Sequence, residues 1–103
     1  MSVKLSTIIN SKRLVLIDFH KPTCDSSQSL LPVLERVQNC LQKRVVIVKV
    51  NVNKNKQLAE NYCVTNFPTL MLFRNGKQLW IHSGYLNRGS IILKIIERNH
   101  WNY

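Results

Sequence analysis

Three short and almost unbroken apolar runs constrain the fold more than any other feature of this sequence. They read RLVLIDF at 13–19, RVVIVKVNV at 44–52 and PTLMLFR at 68–74. Runs of this length without polar alternation are typical of strands that are buried on both faces of a sheet. Such a sheet needs a covering layer of helices on each face, so the three runs predict an α/β fold.

The segments between the apolar runs carry helical patterns. After the first run, apolar residues recur at helical spacing, namely Leu30, Leu34, Val37 and Leu41. Ser26 or Ser27 is expected to cap this helix, and Pro32 is expected to bend it. Shorter helices are expected over 3–11 and 55–63. Because parallel strands need a crossover connection, the first two runs and the helix between them predict a right-handed βαβ unit.

The C-terminal part of the chain predicts a hairpin and a closing helix. Asn75 and Gly76 both tolerate positive φ and form the strongest short hairpin signal in the chain, with 77–83 as the antiparallel partner strand. Asn87 is expected to cap a last helix whose buried face carries Ile91, Ile92, Ile95 and Ile96. We therefore expect residues 1–103 to form a single domain, a central mixed β-sheet flanked by helices on both faces.

Cys24 stands where chemistry is expected in such a sheet, just beyond the carboxyl end of the first strand. A thiol at the start of a helix faces unpaired backbone N–H groups, which lower its pKa. The hydroxyls of Ser26 and Ser27 can donate hydrogen bonds to the sulfur, whereas the charge of Asp25 opposes ionisation. Support for the thiolate is also expected from the basic residues just upstream, His20 and Lys21.

The other cysteines and the histidines do not suggest a disulfide framework or a metal site. Three cysteines cannot all pair within one chain, and no two of them have C-x-x-C spacing. Cys40 is expected to serve packing or lie on the surface, and Cys63 stands five residues before Pro68. The three histidines show no ligand spacing, so we expect neither a metal nor another cofactor.

The charge of the chain is strongly positive, with 15 Lys and Arg against 5 Asp and Glu and a net charge of +10. This balance favours attraction to polyanions, anionic surfaces or an acidic protein partner, but the cations are scattered and not interleaved with aromatic residues. We therefore expect no specific nucleic-acid site. No apolar run is long enough for a secretion signal or a membrane span. These features predict a cytoplasmic protein, either a monomer or a weak dimer.

The ordered set of motifs resembles the thioredoxin family. The residues that carry the resemblance span about 13–99 and are Asp18-Phe19, Cys24, Pro32, Lys49-Val50-Asn51, Phe67-Pro68-Thr69, Asn75-Gly76 and Gly84. The resemblance implies the thioredoxin fold, with the family's first edge strand missing or reduced to a remnant. The departures from the family pattern W-C-G-P-C are concentrated around the cysteine, where this chain has Thr23, Asp25, Ser26 and Ser27.

The resemblance also implies roles for individual residues. Pro68 corresponds to the family's cis proline beside the reactive cysteine, and the backbone of Phe67 would pair with an extended substrate. Substrate contacts are expected at this loop and around the cysteine, at Thr23, Phe67, Pro68, Thr69 and Gly84. Asp18 corresponds to the family's buried carboxylate, the proton acceptor for the second cysteine. Because Ser27 replaces that cysteine, Asp18 is expected instead to form a structural buried pair with Lys49.

Ser27 determines which reactions remain open. A hydroxyl cannot resolve a mixed disulfide by thiol–disulfide exchange, so a disulfide on Cys24 needs a second thiol from glutathione or from a protein substrate. One hypothesis is a monothiol enzyme of the isomerase or deglutathionylation type, with Cys24 as nucleophile and poor dithiol reductase activity. The other is a non-catalytic adaptor that binds partners through the Pro68 groove and the basic surface. A cluster-binding monothiol glutaredoxin is disfavoured, because Phe67 stands where valine is usual.

Overall fold

The computed structural model describes residues 4–99, so His100, Trp101 and Tyr103 lie outside the described part. The elements follow the predicted order with boundaries that differ by one or a few residues. They are α1 (Leu5–Ile9), β1 (Leu14–His20), α2 (Asp25–Leu41), a 3₁₀ turn (Gln42–Arg44), β2 (Val45–Asn51), α3 (Lys56–Asn61), β3 (Thr69–Arg74), β4 (Lys77–Ser83) and α4 (Arg88–Asn99). Among residues 4–99, no helix combines the length and apolar character needed to cross a bilayer.

The sheet is mixed and has the strand order β2-β1-β3-β4. β1 pairs with β2 in parallel, and β3 is antiparallel to both β1 and β4. The connection from β1 to β2 runs through α2, which confirms the predicted βαβ unit. β1 is thus a central strand, and its backbone is enclosed by a neighbour on each side.

Two apolar layers bury the faces of this sheet. On one face, α2 and α4 pack against the even-numbered residues of β1, with Leu14, Leu16, Leu30 and Ile91 nearly or completely buried. On the other face, α1 and α3 cover the odd-numbered residues, including Phe19. The alternation follows from the two-residue period of a strand, and helices on both faces confirm the predicted architecture.

β2 is less buried than its sequence predicts. The apolar run at 44–52 predicts a strand buried on both faces, yet Val46, Ile47 and Val48 are half-buried and Lys49 is exposed. The reason is position, since β2 is an edge strand with β1 as its only neighbour among residues 4–99. The family's first edge strand, expected to be missing or reduced to a remnant, is not among the strands of residues 4–99.

The start of α2 also differs from the prediction. Neither Ser26 nor Ser27 caps this helix, because both lie inside its first turn and the N-cap residue is Cys24. Cys24 has an extended backbone with φ −95° and ψ 123°, as N-cap residues usually do. The helix begins at Asp25, two residues earlier than a cap at Ser26 would require, and the thiol therefore lies at its N-terminus.

The turn chemistry at the C-terminal end agrees with the prediction. Asn75 and Gly76 have φ values of 53° and 77° and connect β3 to β4. The side-chain Oδ1 of Asn87 accepts a hydrogen bond of 2.9 Å from the backbone N–H of Ser90, which confirms it as the cap of α4. Ile91 and Ile95 are buried, whereas Ile96 remains 42% exposed and lies at the margin of the predicted apolar face.

Candidate active site

The end of β1 and the start of α2 place Cys24 at the surface of the protein. A tight turn connects the two elements, in which the backbone N–H of Cys24 donates to the carbonyl oxygen of Lys21 at 2.9 Å. The carbonyl of Cys24 accepts the first helical hydrogen bond from the N–H of Gln28 at 3.1 Å. The side chain is partly exposed and not in a disulfide. A thiol here can meet a partner from solvent while it faces the helix N-terminus.

The surroundings of Cys24 lower the pKa of its thiol. The backbone N–H of Ser27 has the largest effect, and the hydroxyl of Ser27 and the backbone N–H of Ser26 add to it. Burial and the charge of Asp25 act in the opposite direction. The helix start thus stabilises the thiolate through its own N–H groups. The expected contributions of the two upstream basic residues, His20 and Lys21, are not among these causes.

Ser27 occupies a buried position in the first turn of α2. Its side chain is completely buried, and its Oγ accepts a hydrogen bond of 3.2 Å from the backbone N–H of Lys21. Gln28 makes a second contact to the same loop, because its Nε2 donates to the carbonyl oxygen of Pro22 at 2.8 Å. The helix therefore holds the loop before Cys24 through two side chains.

The loop before β3 lies directly beside the thiol. The Sγ of Cys24 donates to the carbonyl oxygen of Phe67 at 3.5 Å, and the Phe67–Pro68 peptide bond is cis. Pro68 is buried, and its carbonyl oxygen accepts a hydrogen bond of 2.7 Å from the N–H of Gly84. The Oγ1 of Thr69 donates to the carbonyl oxygen of Asn66 at 2.6 Å. These bonds bring the predicted substrate-contact residues of this loop and Gly84 close to Cys24. Thr23, which is also a predicted contact, is exposed and directly precedes Cys24 in the chain.

Asp18 is completely buried and lacks a hydrogen-bond partner for either carboxyl oxygen within the described residues. Its nearest basic group is the Nδ1 of His20, at 3.8 Å from Oδ2. Burial raises the pKa of Asp18 to about 7, and the charge of Lys49 lowers it only in part. A carboxyl group in this setting is close to half-protonated near neutral pH.

The predicted buried pair of Asp18 and Lys49 is wrong. The two residues are register partners on β1 and β2, but Lys49 is exposed and no ion pair joins them in the described part of the chain. Since β2 is the edge strand, the long side chain of Lys49 can keep its ammonium group in water, which avoids the cost of dehydrating it. His20 faces Asp18 instead, a contact that becomes visible in the sequence only once alternation along β1 is considered.

Tyr85 is a site residue that the sequence did not indicate. Together with Asp25, Ser26 and Ser29 it lines an open cavity of about 380 Å³ beside the start of α2. Tyr85 is 49% exposed, and it directly follows Gly84 in the chain. Its position directly after Gly84, one of the residues that carry the family resemblance, is the signal that sequence reasoning could have used, since the aromatic side chain belongs to no periodic pattern.

Cys40 and Cys63 are both exposed free thiols. Cys63 has a positive φ of 57° and ends the turn after α3. Within residues 4–99, no three His, Cys, Asp or Glu side chains come close enough together to hold a metal ion. Cys24 therefore combines a partly exposed side chain with a direct contact to the loop that contains Phe67 and Pro68.

Comparisons with known proteins agree with this geometry. The family model for thioredoxin matches residues 4–97. Thioredoxin from Rickettsia bellii is 31% identical over 85 residues, which cover 82% of this chain and 81% of that protein. Thioredoxin from Buchnera aphidicola is 31% identical over 81 residues, or 79% of this chain and 74% of that protein.

A solved structure supports the fold independently. Thioredoxin-2, described as a component of the malaria parasite protein secretion machinery, superposes with a TM-score of 0.81 at 22% identity and covers 82% of each chain. The family model and the bacterial relatives then decide the assignment, because they match most of the chain in sequence. The chain belongs to the thioredoxin family of thiol–disulfide oxidoreductases.

Proposed function

We propose that this protein carries out monothiol thiol–disulfide exchange, with Cys24 as the nucleophile. The observation that carries the proposal is a partly exposed thiol of lowered pKa beside the Phe67 carbonyl, with a buried serine where a resolving thiol would be needed. The substrates are disulfides of proteins or of glutathione. We expect the reaction to take place in a reducing compartment such as the cytoplasm, where thiols are available to complete it.

The first step needs only the thiolate of Cys24. Its sulfur attacks one sulfur of a substrate disulfide, a new S–S bond forms, and the other substrate sulfur leaves as a thiolate. Because the amides of Ser26 and Ser27 lower the pKa of Cys24, more of the attacking thiolate is present at neutral pH. The carbonyl of Phe67 lies beside the attacked position and can accept a hydrogen bond from a substrate backbone.

The second step needs a thiol from outside the protein. The Ser27 hydroxyl is buried, accepts a hydrogen bond from the Lys21 N–H and has no sulfur with which to exchange. The mixed disulfide on Cys24 therefore persists until a thiolate of glutathione or of the substrate attacks it, which releases Cys24 as a thiolate. Isomerisation fits these steps because it leaves the number of disulfides unchanged. Deglutathionylation fits them because free glutathione is the reductant, attacks the mixed disulfide on Cys24 and leaves as glutathione disulfide.

The proposal is tested by the pH dependence of Cys24 alkylation. Cys40 and Cys63 are exposed and would react as well, so the measurement uses the Cys40→Ser, Cys63→Ser double variant, which has a single thiol. The expected midpoint lies below that of a free cysteine, about 8.5. The same variant with Cys24→Ser is the matched control and should not be modified.

A second experiment measures thiol–disulfide exchange directly. Incubation of the double variant with glutathione disulfide should give one glutathione adduct on Cys24, which free glutathione then removes. Reduction of insulin with a dithiol donor should remain near the uncatalysed rate, because no internal thiol resolves the intermediate. An alkylation midpoint equal to that of a free cysteine, together with no adduct, would reject the proposal.

A non-catalytic adaptor is the second candidate function, and one contact favours it. The thiol of Cys24 donates its hydrogen to the Phe67 carbonyl, which stabilises the unreactive form, while the Asp25 charge also raises the pKa. In an adaptor, the Pro68 loop and the basic surface would hold an acidic protein partner without turnover. Partner capture that is the same for the parent and for Cys24→Ser, without any trapped mixed disulfide, would favour the adaptor.

A further inference from the structure

The two edges of the sheet differ in how far their backbone is covered. The β4 edge is irregular, because a register shift lies between Leu72 and Phe73, and the Nε of Arg98 donates to the carbonyl oxygen of Leu79 at 3.2 Å. Irregular and covered edges resist the addition of another strand. The β2 edge pairs with β1 in seven consecutive register positions without a shift. Its outer side is therefore the more regular template for a further strand.

One hydrogen bond establishes which backbone groups of β2 point outward. The N–H of Val52 donates to the carbonyl oxygen of His20 on β1 at 3.0 Å. Backbone groups alternate in direction along a strand, so even-numbered residues of β2 point towards β1 and odd-numbered residues point away from it. The N–H and C=O groups of Ile47 and Lys49 therefore face outward, where no strand of residues 4–99 pairs with them.

Internal contacts close both ends of this edge. The carbonyl of Val45 accepts a hydrogen bond of 3.0 Å from the Nε2 of Gln38. At the other end, the carbonyl of Asn51 accepts bonds from the N–H of Lys54 at 3.2 Å and from the Nδ2 of Asn55 at 2.9 Å. The open part of the edge is thus a short window at residues 47–49, long enough to accept an extended segment of a few residues.

The stretch of sequence that contains the window carries only positive charge, and the nearest carboxyl group on β1, that of Asp18, is buried. Residues 36–59 contain no Asp or Glu but six cations, namely Arg36, Lys43, Arg44, Lys49, Lys54 and Lys56. The guanidinium of Arg44 is held in place, since it donates to the carbonyl oxygens of Leu41 and Cys40. Beyond the carboxyl end of β2, a groove of about 730 Å³ between α1 and α3 is lined by Lys4, Lys54 and Lys56 and by no acidic residue.

We propose that the outer edge of β2 at Ile47–Lys49 binds an extended, acidic segment of a partner polypeptide by strand addition. The open backbone groups of the window supply main-chain hydrogen bonds, and the cations around it select acidic side chains. A second copy of this chain is a poor occupant, because two molecules of net charge +10 repel each other. The proposal concerns a surface other than the Cys24 site, so it stands whether or not Cys24 turns over.

The probe for this surface is a short synthetic peptide in which Glu and Val alternate. Two matched peptides accompany it, one with Lys in place of Glu and one with N-methylated backbone at alternate positions. The protein is the full chain with Cys24→Ser, so that thiol chemistry does not contribute. Binding is titrated at low and moderate salt, and the amide signals of Ile47 and Lys49 are followed by NMR and hydrogen exchange.

The Glu-Val peptide should protect the amides of Ile47 and Lys49 from exchange. Removal of its backbone donors by N-methylation should weaken binding at least about tenfold, and the Lys-Val peptide should not bind measurably. Lys49→Glu should weaken binding of the Glu-Val peptide about tenfold. Lys77→Glu makes the same charge change on the other edge strand and should alter the affinity less than about twofold.

Ile47→Pro provides a test of the backbone of the protein itself. Because the Ile47 N–H points away from β1, proline removes an outward donor without deleting a hydrogen bond of the sheet. This variant should lose peptide binding. Should it fail to fold, the N-methylated peptide remains an independent test of the same hydrogen bonds.

Several outcomes would overturn the proposal. Equal binding of the N-methylated peptide, or equal loss in Lys49→Glu and Lys77→Glu, would mean general attraction of an acidic chain to a basic protein. A dimer that Ile47→Pro dissociates would mean that a second copy occupies the edge. Protection of the same amides by a single-stranded oligonucleotide at lower concentration than by the peptide would identify a nucleic-acid surface instead.

Discussion

The Sγ atom of Cys24 lies 3.5 Å from the carbonyl oxygen of Phe67, across 43 positions of the chain. This contact joins the start of α2 to the loop before β3 and places the thiol beside a backbone that can accept a strand. The sulfur therefore has two competing sets of neighbours. The amides of Ser27 and Ser26 stabilise its thiolate, whereas the Phe67 carbonyl stabilises its protonated form.

The charge of Asp25 should slow the alkylation of the Cys24 thiol. Asp25 raises the pKa of the neighbouring thiol, so Asp25→Asn should lower that pKa further and increase the thiolate fraction at neutral pH. Because Asp25 is exposed, the expected gain in alkylation rate at pH 7 is only about two- to threefold. Glu35→Gln, an equal charge change at another exposed position of α2, is the control and should leave the rate unchanged. An unchanged rate in Asp25→Asn would contradict this assignment.

Ser27→Cys should convert the site to a dithiol. A sulfur in the first turn of α2 can attack the mixed disulfide on Cys24, so the variant should reduce insulin with a dithiol donor at least about tenfold faster than the parent. The matched control is Ser27→Ala, which has no sulfur and should remain inactive in this assay. Ser27→Ala should also raise the pKa of Cys24, because one hydrogen bond to the sulfur is lost. Insulin reduction by the parent at the rate of Ser27→Cys would refute the role given to Ser27.

Asp18 should make the protein less stable as the pH rises towards neutrality. Its folded-state pKa is raised to about 7 from the ordinary value of 3.8, so between these values the folded state holds a proton that the unfolded state has lost. The free energy of unfolding therefore falls as pH rises from about 4 to about 7 and is level above, with a maximal loss on the order of 4 kcal/mol.

Asp18→Asn tests this dependence, since asparagine has the shape of the carboxylate but no charge. The variant should be more stable than the parent at pH 8 and similar to it at pH 4, as measured by urea unfolding. Ionisable groups that do not interact with Asp18 contribute equally to both curves, so the difference between the curves reports on Asp18 and its contact with His20. A difference that is constant across this range would show that Asp18 has an ordinary pKa.

The protein should need glycine at position 84 because of the backbone conformation there, and not because a side chain would clash with its neighbours. Its φ is +99°, and a Cβ placed there meets no atom within 4 Å. Gly84→Ala should therefore destabilise the protein by about 1–3 kcal/mol through backbone strain alone, next to the Pro68 carbonyl that its N–H contacts.

The matched control is Gly89→Ala in α4, where a Cβ would make only an ordinary contact of 3.6 Å with Asn87. Alanine favours a helix by about 1 kcal/mol over glycine, so this variant should be as stable as the parent or more stable. Thermal unfolding of both variants separates the two effects. Equal stability of Gly84→Ala and the parent would mean that the loop relaxes without strain.

Local chemistry made much of the fold predictable. The three apolar runs, the helical spacing after Cys24 and the Asn75-Gly76 turn each depend on residues close in the chain, and each element formed where its own period indicated. The predicted cap of α4 at Asn87 is confirmed for the same reason, since its partner Ser90 lies three residues away. The cap of α2 was harder to predict, because Cys24, Ser26 and Ser27 all stand near its start.

The order of the elements, the hairpin and the position of Cys24 at a helix start could thus be read from residues close in the chain, because they depend on short-range periodicity and turn chemistry. The choice of edge strand came from the packing of distant segments, and it explains why Lys49 stays in water while Asp18 is buried beside His20. The strand order also decided that Phe67 meets Cys24. Burial and long-range contact depend on what lies across the sheet, and no local pattern of residues carries that information.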